Sequence, residues 1–135
     1  MIRLNRRTRH VEQAINETMH LFATIGARTE RGGTVARVSS NATFADLGLA
    51  VVGDIVAYED GTEATIIDGA GYAAMREGRP IALVGSHLSN GDRIVTAAQN
   101  AFGITVRDGQ DIPGLFDSTY SPISADAAHT GGHGA

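Results

Sequence analysis

The chain has 135 residues, enough for one domain with some length left for tails, and its apolar fraction of 42% allows a core. There is no Cys, which excludes disulfides, thiolate metal sites and a Cys nucleophile. A net charge of −4 argues against a nucleic-acid binder, and no apolar run reaches the length of a membrane span or a signal-peptide core, so a soluble protein made in the cytoplasm is expected.

Aromatic residues are scarce and Trp is absent, so the core must be built from Val, Ile, Leu and Ala. The 17 Gly sit at the edges of β-prone runs without a collagen-like period, which predicts many tight turns.

In chain order, Arg3, Arg6, Arg7 and Arg9 precede the first acid, Glu12. A solvated end is favoured there over an arm for an anionic partner. From Arg9 to Phe22, Val11, Ala14, Ile15, Met19 and Phe22 fall at helical spacing, with Thr8 as a candidate cap. The spacing predicts an amphipathic helix, and Val11, Ile15, Met19 and Phe22 form a face that would dock on the domain or on a partner. His10 and His20 are too far apart along it for a metal pair.

A motif then occurs three times. Its copies start at Ile25-Gly26, Val52-Gly53 and Val84-Gly85, and each pairs an apolar residue with Gly, then a polar stretch, a second Gly and a β-prone run. The turn glycines are Gly26, Gly32, Gly33, Gly53, Gly61, Gly85 and Gly91. Three reversals flanked by Val, Ile and Thr predict three similar hairpins. Asp60-Gly61 and Asn90-Gly91 are the strongest hairpin signals. Between the copies, Thr34–Val38 reads as a strand, 39–42 as a turn, and Leu47–Val52 as a buried strand. Thr43–Asp46 is ambiguous. Glu63–Ile67 returns as a strand, Asp68–Gly71 and Glu77–Pro80 turn, and Ile81–Val84 leads into the third copy.

After Val95, Thr96–Phe102 fits either a helical turn or an extended strand. Gly103–Arg107 is strand-like, Asp108-Gly109 turns, and Ile112–Phe116 is apolar and irregular, which suits packing back on the domain. Residues 118–135 lack core-forming side chains and read as a disordered tail, with His129 and His133 as plain tail residues. The expected organisation is an extension at 1–21, a β domain at 22–117 and the tail.

The order of these elements resembles the PAAR-repeat family, whose members cap the spikes of type VI secretion systems and related contractile injection machines. Gly26-Ala27-Arg28-Thr29-Glu30-Arg31-Gly32-Gly33-Thr34 is similar to the family's opening motif. Leu49-Ala50-Val51-Val52-Gly53-Asp54 is similar to the first of its two strand motifs. Arg79-Pro80-Ile81-Ala82-Leu83-Val84-Gly85-Ser86 is similar to the second, with Leu83 for Arg and Ser86 for Asp. The resemblance covers about Phe22–Val95 and implies an all-β fold: a small conical domain of short hairpins with pseudo-threefold symmetry, here with an N-terminal helix and a flexible C-terminal tail.

Members typically hold one zinc near the tip through His and Cys. By position those ligands fall on Arg31, near Tyr58 and Asp60, and on Asn90. This is no zinc set, so no cofactor is expected. One substitute built from the same positions pairs Arg31 with Asp60 and places Tyr58 and Asn90 around them; the other reading is four unrelated surface turn residues. His87, in the third copy, reads as an exposed turn residue rather than a ligand.

A cone of three hairpins has a wide end with strand edges to cover, and a trimeric β-structure offers three equivalent edges to meet them. The resemblance implies that the protein caps a homotrimeric VgrG-like spike, one copy per trimer, sharpening it and linking effectors or adaptors at its termini. It further implies delivery outside the cell, only transient membrane penetration, and no nucleic-acid partner. No catalytic residues are expected, because no Ser/His/Asp set is placed convincingly. The alternatives are a small metal-dependent enzyme, with Asp54, Asp60, His87 and Asp92 converging on an ion, and a β-rich oligomeric scaffold module.

Overall fold

The computed structural model describes residues 16–121. Its strands are β1 (Glu17–Leu21), β2 (Arg28–Thr29), β3 (Thr34–Arg37), β4 (Thr43–Phe44), β5 (Leu47–Gly48), β6 (Ile55–Ala57), β7 (Glu63–Thr65), β8 (Met75–Arg76), β9 (Arg79–Pro80), β10 (Ile94–Thr96) and β11 (Gly103–Arg107). One turn of 3-10 helix, Gly71–Ala73, completes the regular structure of these residues.

The three sequence copies share the same basal turn. In each, a four-residue turn reverses the chain. The N–H groups of Ala27, Asp54 and Ser86 donate to the carbonyls of Thr24, Val51 and Leu83 at 3.0, 3.0 and 2.9 Å. The third residue of each turn is Gly26, Gly53 or Gly85, with φ of 88°, 97° and 102°. An L side chain is strained there, which is why the motif keeps Gly. Each of these glycines donates its N–H to Val35, Ile66 or Ile94 at 2.9, 2.8 and 2.8 Å, and those three side chains are fully buried.

From each turn a hairpin runs to the tip. The tips close where Gly32, Gly61 and Gly91 donate to the carbonyls of Thr29, Tyr58 and Leu88. The β10-β2-β3-β6-β7 sheet is closed on itself by an Ile66–Leu88 bridge and by the Ser89 N–H donating to Thr65. The hairpins therefore leave no open edge between them.

The pseudo-threefold axis is marked by three alanines. The Ala23 N–H donates to the Ala82 carbonyl at 2.9 Å, Ala82 to Ala50 at 2.8 Å, and Ala50 back to Ala23 at 3.0 Å. All three are fully buried and pack with Val35, Val56, Ile66, Leu88 and Ile94 in one apolar cluster. A second cluster holds Phe22, Leu49, Val51, Ile81 and Leu83, with Phe44, Ile104, Leu115 and Phe116 packed on it.

At the wide end stand three two-stranded hairpins: β4-β5, β8-β9 and β11-β1. They are equivalent. The N–H groups of Leu49, Ile81 and Phe22 donate to the carbonyls of Ala42, Ala74 and Phe102, each at 2.9 Å. The first two hairpins turn through Ala45-Asp46 and Glu77-Gly78, all at positive φ, the tight turn that suits a twisted ribbon. The third is assembled from the two ends of the domain.

That third hairpin corrects the expected helix. Glu17–Leu21 is a strand, paired antiparallel with β11 from Glu17↔Arg107 to Leu21↔Gly103. Helical spacing loses here to a partner from the far end of the domain, which local sequence does not reveal. Of the expected docking face, Met19 is half exposed on β1 and Phe22 is buried as the first core residue of the first repeat. Val11 and Ile15 lie outside the described residues, as does the expected tail from 122 onward. Before it, the Tyr120 ring lies directly over Gly114, and Phe116 donates its N–H to Gly69 at 2.8 Å, so Ile112–Phe116 does pack back on the domain.

The axis has room only for methyl groups. Ala50→Leu is expected to lower unfolding free energy by about 1–3 kcal/mol through overpacking, read as a fall in the urea midpoint, while Glu59→Leu at the exposed tip leaves the midpoint nearly unchanged.

Candidate functional site at the hairpin tips

The three tips converge on one carboxylate, Asp92. It follows Gly91 in the third hairpin and is fully buried. Its Oδ1 accepts the N–H groups of Arg31 at 3.1 Å and Arg93 at 2.8 Å. Its Oδ2 accepts the Tyr58 hydroxyl at 2.6 Å, and Thr29, whose Oγ1 accepts the Gly33 N–H at 2.8 Å, stands beside it. Hairpin one thus contributes the Arg31 N–H, hairpin two contributes Tyr58, and hairpin three supplies the acid.

Around this centre the bonds continue. The Asn90 amide donates from Nδ2 to the Tyr58 oxygen at 3.0 Å, and its Oδ1 accepts the Asp92 N–H at 3.0 Å. Arg31 donates from Nη1 to the Asn90 carbonyl at 3.1 Å. Glu30 donates its N–H to the Arg93 carbonyl at 2.9 Å, and their side chains form an exposed ion pair at 3.7 Å, a geometry of little energetic weight.

Tyr58 reaches Asp92 because the second hairpin is longer. Residue pairs 55–65, 56–64 and 57–63 separate its basal turn from its tip. One pair does so in each of the others, Arg28–Thr34 and His87–Arg93. The longer arm folds its Tyr over the neighbouring tip. Gly33 makes the space: a Cβ there would lie 2.8 Å from the Tyr58 ring and 2.6 Å from Val56. Gly33 differs in this from the other motif glycines, which are kept for backbone conformation.

Burial works against the charged form of Asp92. Thr29 beside it and the hydrogen bonds from Tyr58, Arg93 and Arg31 outweigh burial and hold the carboxyl below the ordinary value. The Tyr58 phenol is shifted upward, by burial first and by its bond to Asp92 second. At neutral pH the centre is a carboxylate receiving a phenol proton donor.

Of the four expected tip residues, Arg31, Tyr58 and Asn90 come together, and Asp60 does not join them. Asp60 accepts the N–H of Thr62 at 3.0 Å and its hydroxyl at 2.6 Å, and these bonds lower its pKa. A bond two residues away is cheaper to form than a cross-hairpin ion pair. Arg31 and Asp60 line the same open hollow of about 290 Å³ with Arg28, Gly32, Tyr58 and Glu59, without pairing. The acid that sequence reasoning assigned to Asp60 is Asp92. Its signal was visible in principle, since Asp92 holds the position of Gly33 and Thr62 in the other tips.

A family model described as the PAAR motif matches residues 25–96. The chain belongs to the PAAR family. No curated protein matches the chain, and no solved structure does. The matched segment starts at the first basal turn and ends in β10, so it spans the three hairpins and two of the three base hairpins.

The PAAR family resemblance implies zinc at this tip, and the residues here do not fit it. The positions offer a guanidinium, a phenol and a carboxamide, none of them a normal zinc donor, and a cation beside Arg31 would be repelled. Both Asp92 oxygens are already taken by donors. Among the described residues no buried side-chain N or O lacks a partner, and no three His, Cys, Asp or Glu are grouped to hold an ion.

The residues of the enzymatic alternative are dispersed in this PAAR domain. Asp54 accepts the Val51 N–H and the Ser39 hydroxyl at its own basal turn. His87 is held by Asp68, through its N–H at 2.9 Å and Nδ1 at 2.7 Å. Asp60 and Asp92 are engaged as described above.

Because the folded pKa of Asp92 is depressed, its contribution to stability is full above the unfolded carboxylate value of about 4 and is lost as pH falls through the folded value. Asp92→Asn is expected to cost about 2–3 kcal/mol at pH 7. Urea unfolding from pH 7 to pH 2 should show the gap between wild type and variant closing on the acid side.

Proposed function

We propose that this PAAR-family protein caps a trimeric VgrG-like spike, one copy per trimer, with the hairpin tips leading and the β4-β5, β8-β9 and β11-β1 hairpins facing the trimer. The PAAR family is a structural spike-tip family of type VI secretion, which supports a capping role. The observation that carries the reading is the threefold repetition of the wide end. Three equivalent base hairpins, each two-stranded among the described residues, offer one chain three matching contacts for three identical subunits.

The wide end also carries apolar surface. Phe102 is 40% exposed, stands edge-on to Phe22 at 4.7 Å and stacks on Phe44 at 5.0 Å, and Met19 is half exposed on the adjacent strand. The tip, by contrast, shows polar groups satisfied among themselves. Apolar side chains at one end and closed polar turns at the other suit a part that docks by its base.

Cargo fits the same picture. The described chain begins at Asn16, whose carbonyl accepts the Asp108 N–H at the outer end of the third base hairpin. A domain or adaptor joined through the N-terminal residues would start beside the spike rather than on its point. The role is mechanical and adhesive, not catalytic. No helix among the described residues is long and apolar enough to cross a membrane.

The test is light scattering on a sizing column, with the full chain alone and mixed with a candidate spike trimer. A free monomer that shifts to one copy per trimer is expected. Phe102→Asp should weaken that complex at least tenfold, and Arg31→Ala at the tip should leave it unchanged. A stable homo-oligomer that ignores the trimer would sink the reading for that partner.

A further inference from the structure

We propose that the tip of this protein is built without metal, and that buried Asp92 with the Tyr58 hydroxyl cross-links the three hairpins where a bound ion would otherwise do so. The inference rests on the tip geometry alone and stands whether or not the spike partner is identified.

Three short hairpins that meet at a point face a common problem. Each tip is a few residues long, and beyond Leu88 and the Tyr58 ring it has no apolar side chain packed in the core, so something must hold the turns together against chain entropy. A metal ion does this by drawing one or more donors from each turn. Here one carboxylate draws donors from each turn instead. Asp92 accepts from Arg31 on the first hairpin and from Tyr58 on the second, while Asn90 and Arg93 lock it within its own.

The sign of the chemistry is inverted. A metal tip is a cation surrounded by electron-pair donors. This tip is an anion surrounded by N–H and O–H groups, the surroundings a buried carboxylate needs. Two neighbours make sense only in that scheme. Arg31, which would repel a metal, places its N–H on Asp92 and its guanidinium on the Asn90 carbonyl. Gly33, the residue equivalent to Asp92 in the first hairpin, has no side chain, and the Tyr58 ring occupies that space. A Tyr on the longer arm, a Gly beneath it and an Asp on the third tip are thus one device. Such a tip needs no metal loading before assembly and is indifferent to chelators in the medium it enters.

The experiment uses the full chain purified without added metal. Zinc content is measured by mass spectrometry, and melting is followed with and without EDTA. Amide exchange at Arg31 and Arg93 is compared in wild type, Tyr58→Phe, Asp92→Asn and the double variant. The expected result is far less than one zinc per chain and a melting temperature unmoved by EDTA. Exchange at Arg31 should be at least tenfold faster in Tyr58→Phe, and the double variant little worse than Asp92→Asn alone. If Asp92→Asn does not fold, Tyr58→Phe carries the test, because it removes one hydroxyl and keeps the ring over Gly33. About one zinc per chain with EDTA-induced loss of stability would overturn the proposal. So would unchanged Arg31 exchange in Tyr58→Phe.

Discussion

A closed triangle of backbone hydrogen bonds, Ala23 to Ala82 to Ala50 and back to Ala23, fixes the geometry from which the rest of the domain follows. Each bond joins two repeats, so no repeat can complete its pairing alone. The triangle is possible only because the three side chains at the axis are methyl groups; larger ones would hold the strands apart. Around it, residues just before and just after each Ala pair cyclically: Phe22 with Leu83, Leu49 with Thr24, Ile81 with Val51. Symmetry in this chain is thus a packing solution, with three copies of one short segment filling what a larger core would otherwise fill.

The two ends of the domain follow from that triangle in opposite ways. Toward the tip the hairpins converge, apolar area runs out, and polar bonds must hold the turns. Toward the base the chain spreads into three two-stranded ribbons, each tied to a repeat through one carbonyl, Gly48 to Ile25, Pro80 to Val52 and Leu21 to Val84, with no third strand among the described residues. The proposed capping role puts the closed polar turns in front and the three ribbons against the partner.

The strict repetition breaks at two places, and both breaks carry meaning. The second hairpin is longer, which brings Tyr58 over Gly33 and onto Asp92. The third base hairpin is made from β11 and β1, so its strands are joined only through the whole intervening domain. Closing it is a long-range event that sets β1 in place only when Gly103–Arg107 is present. Phe116, returning beside Gly85 and standing edge-on to His20 at 5.2 Å, braces the same corner.

The sequence by itself determined the repeats, their turns and the fold class. Gly26, Gly53 and Gly85 need positive φ, and that need is local enough to read from spacing, as is the Asn90-Gly91 turn. Set against the family's pattern, it also put Arg31, Tyr58, Asp60 and Asn90, not a normal zinc set, at the expected ligand positions. Only the tertiary structure decided what stands in its place. Asp60 and Asp92 are both turn acids in sequence; burial and the reach of Tyr58 select Asp92, while Thr62 holds Asp60 where it is. The same holds for Glu17–Leu21, whose helical spacing is real but whose strand partner lies at the other end of the domain. Local φ and turn preferences are written in short stretches of chain, whereas the choice among equivalent acids or between helix and strand depends on contacts that exist only once the ring of three repeats has closed.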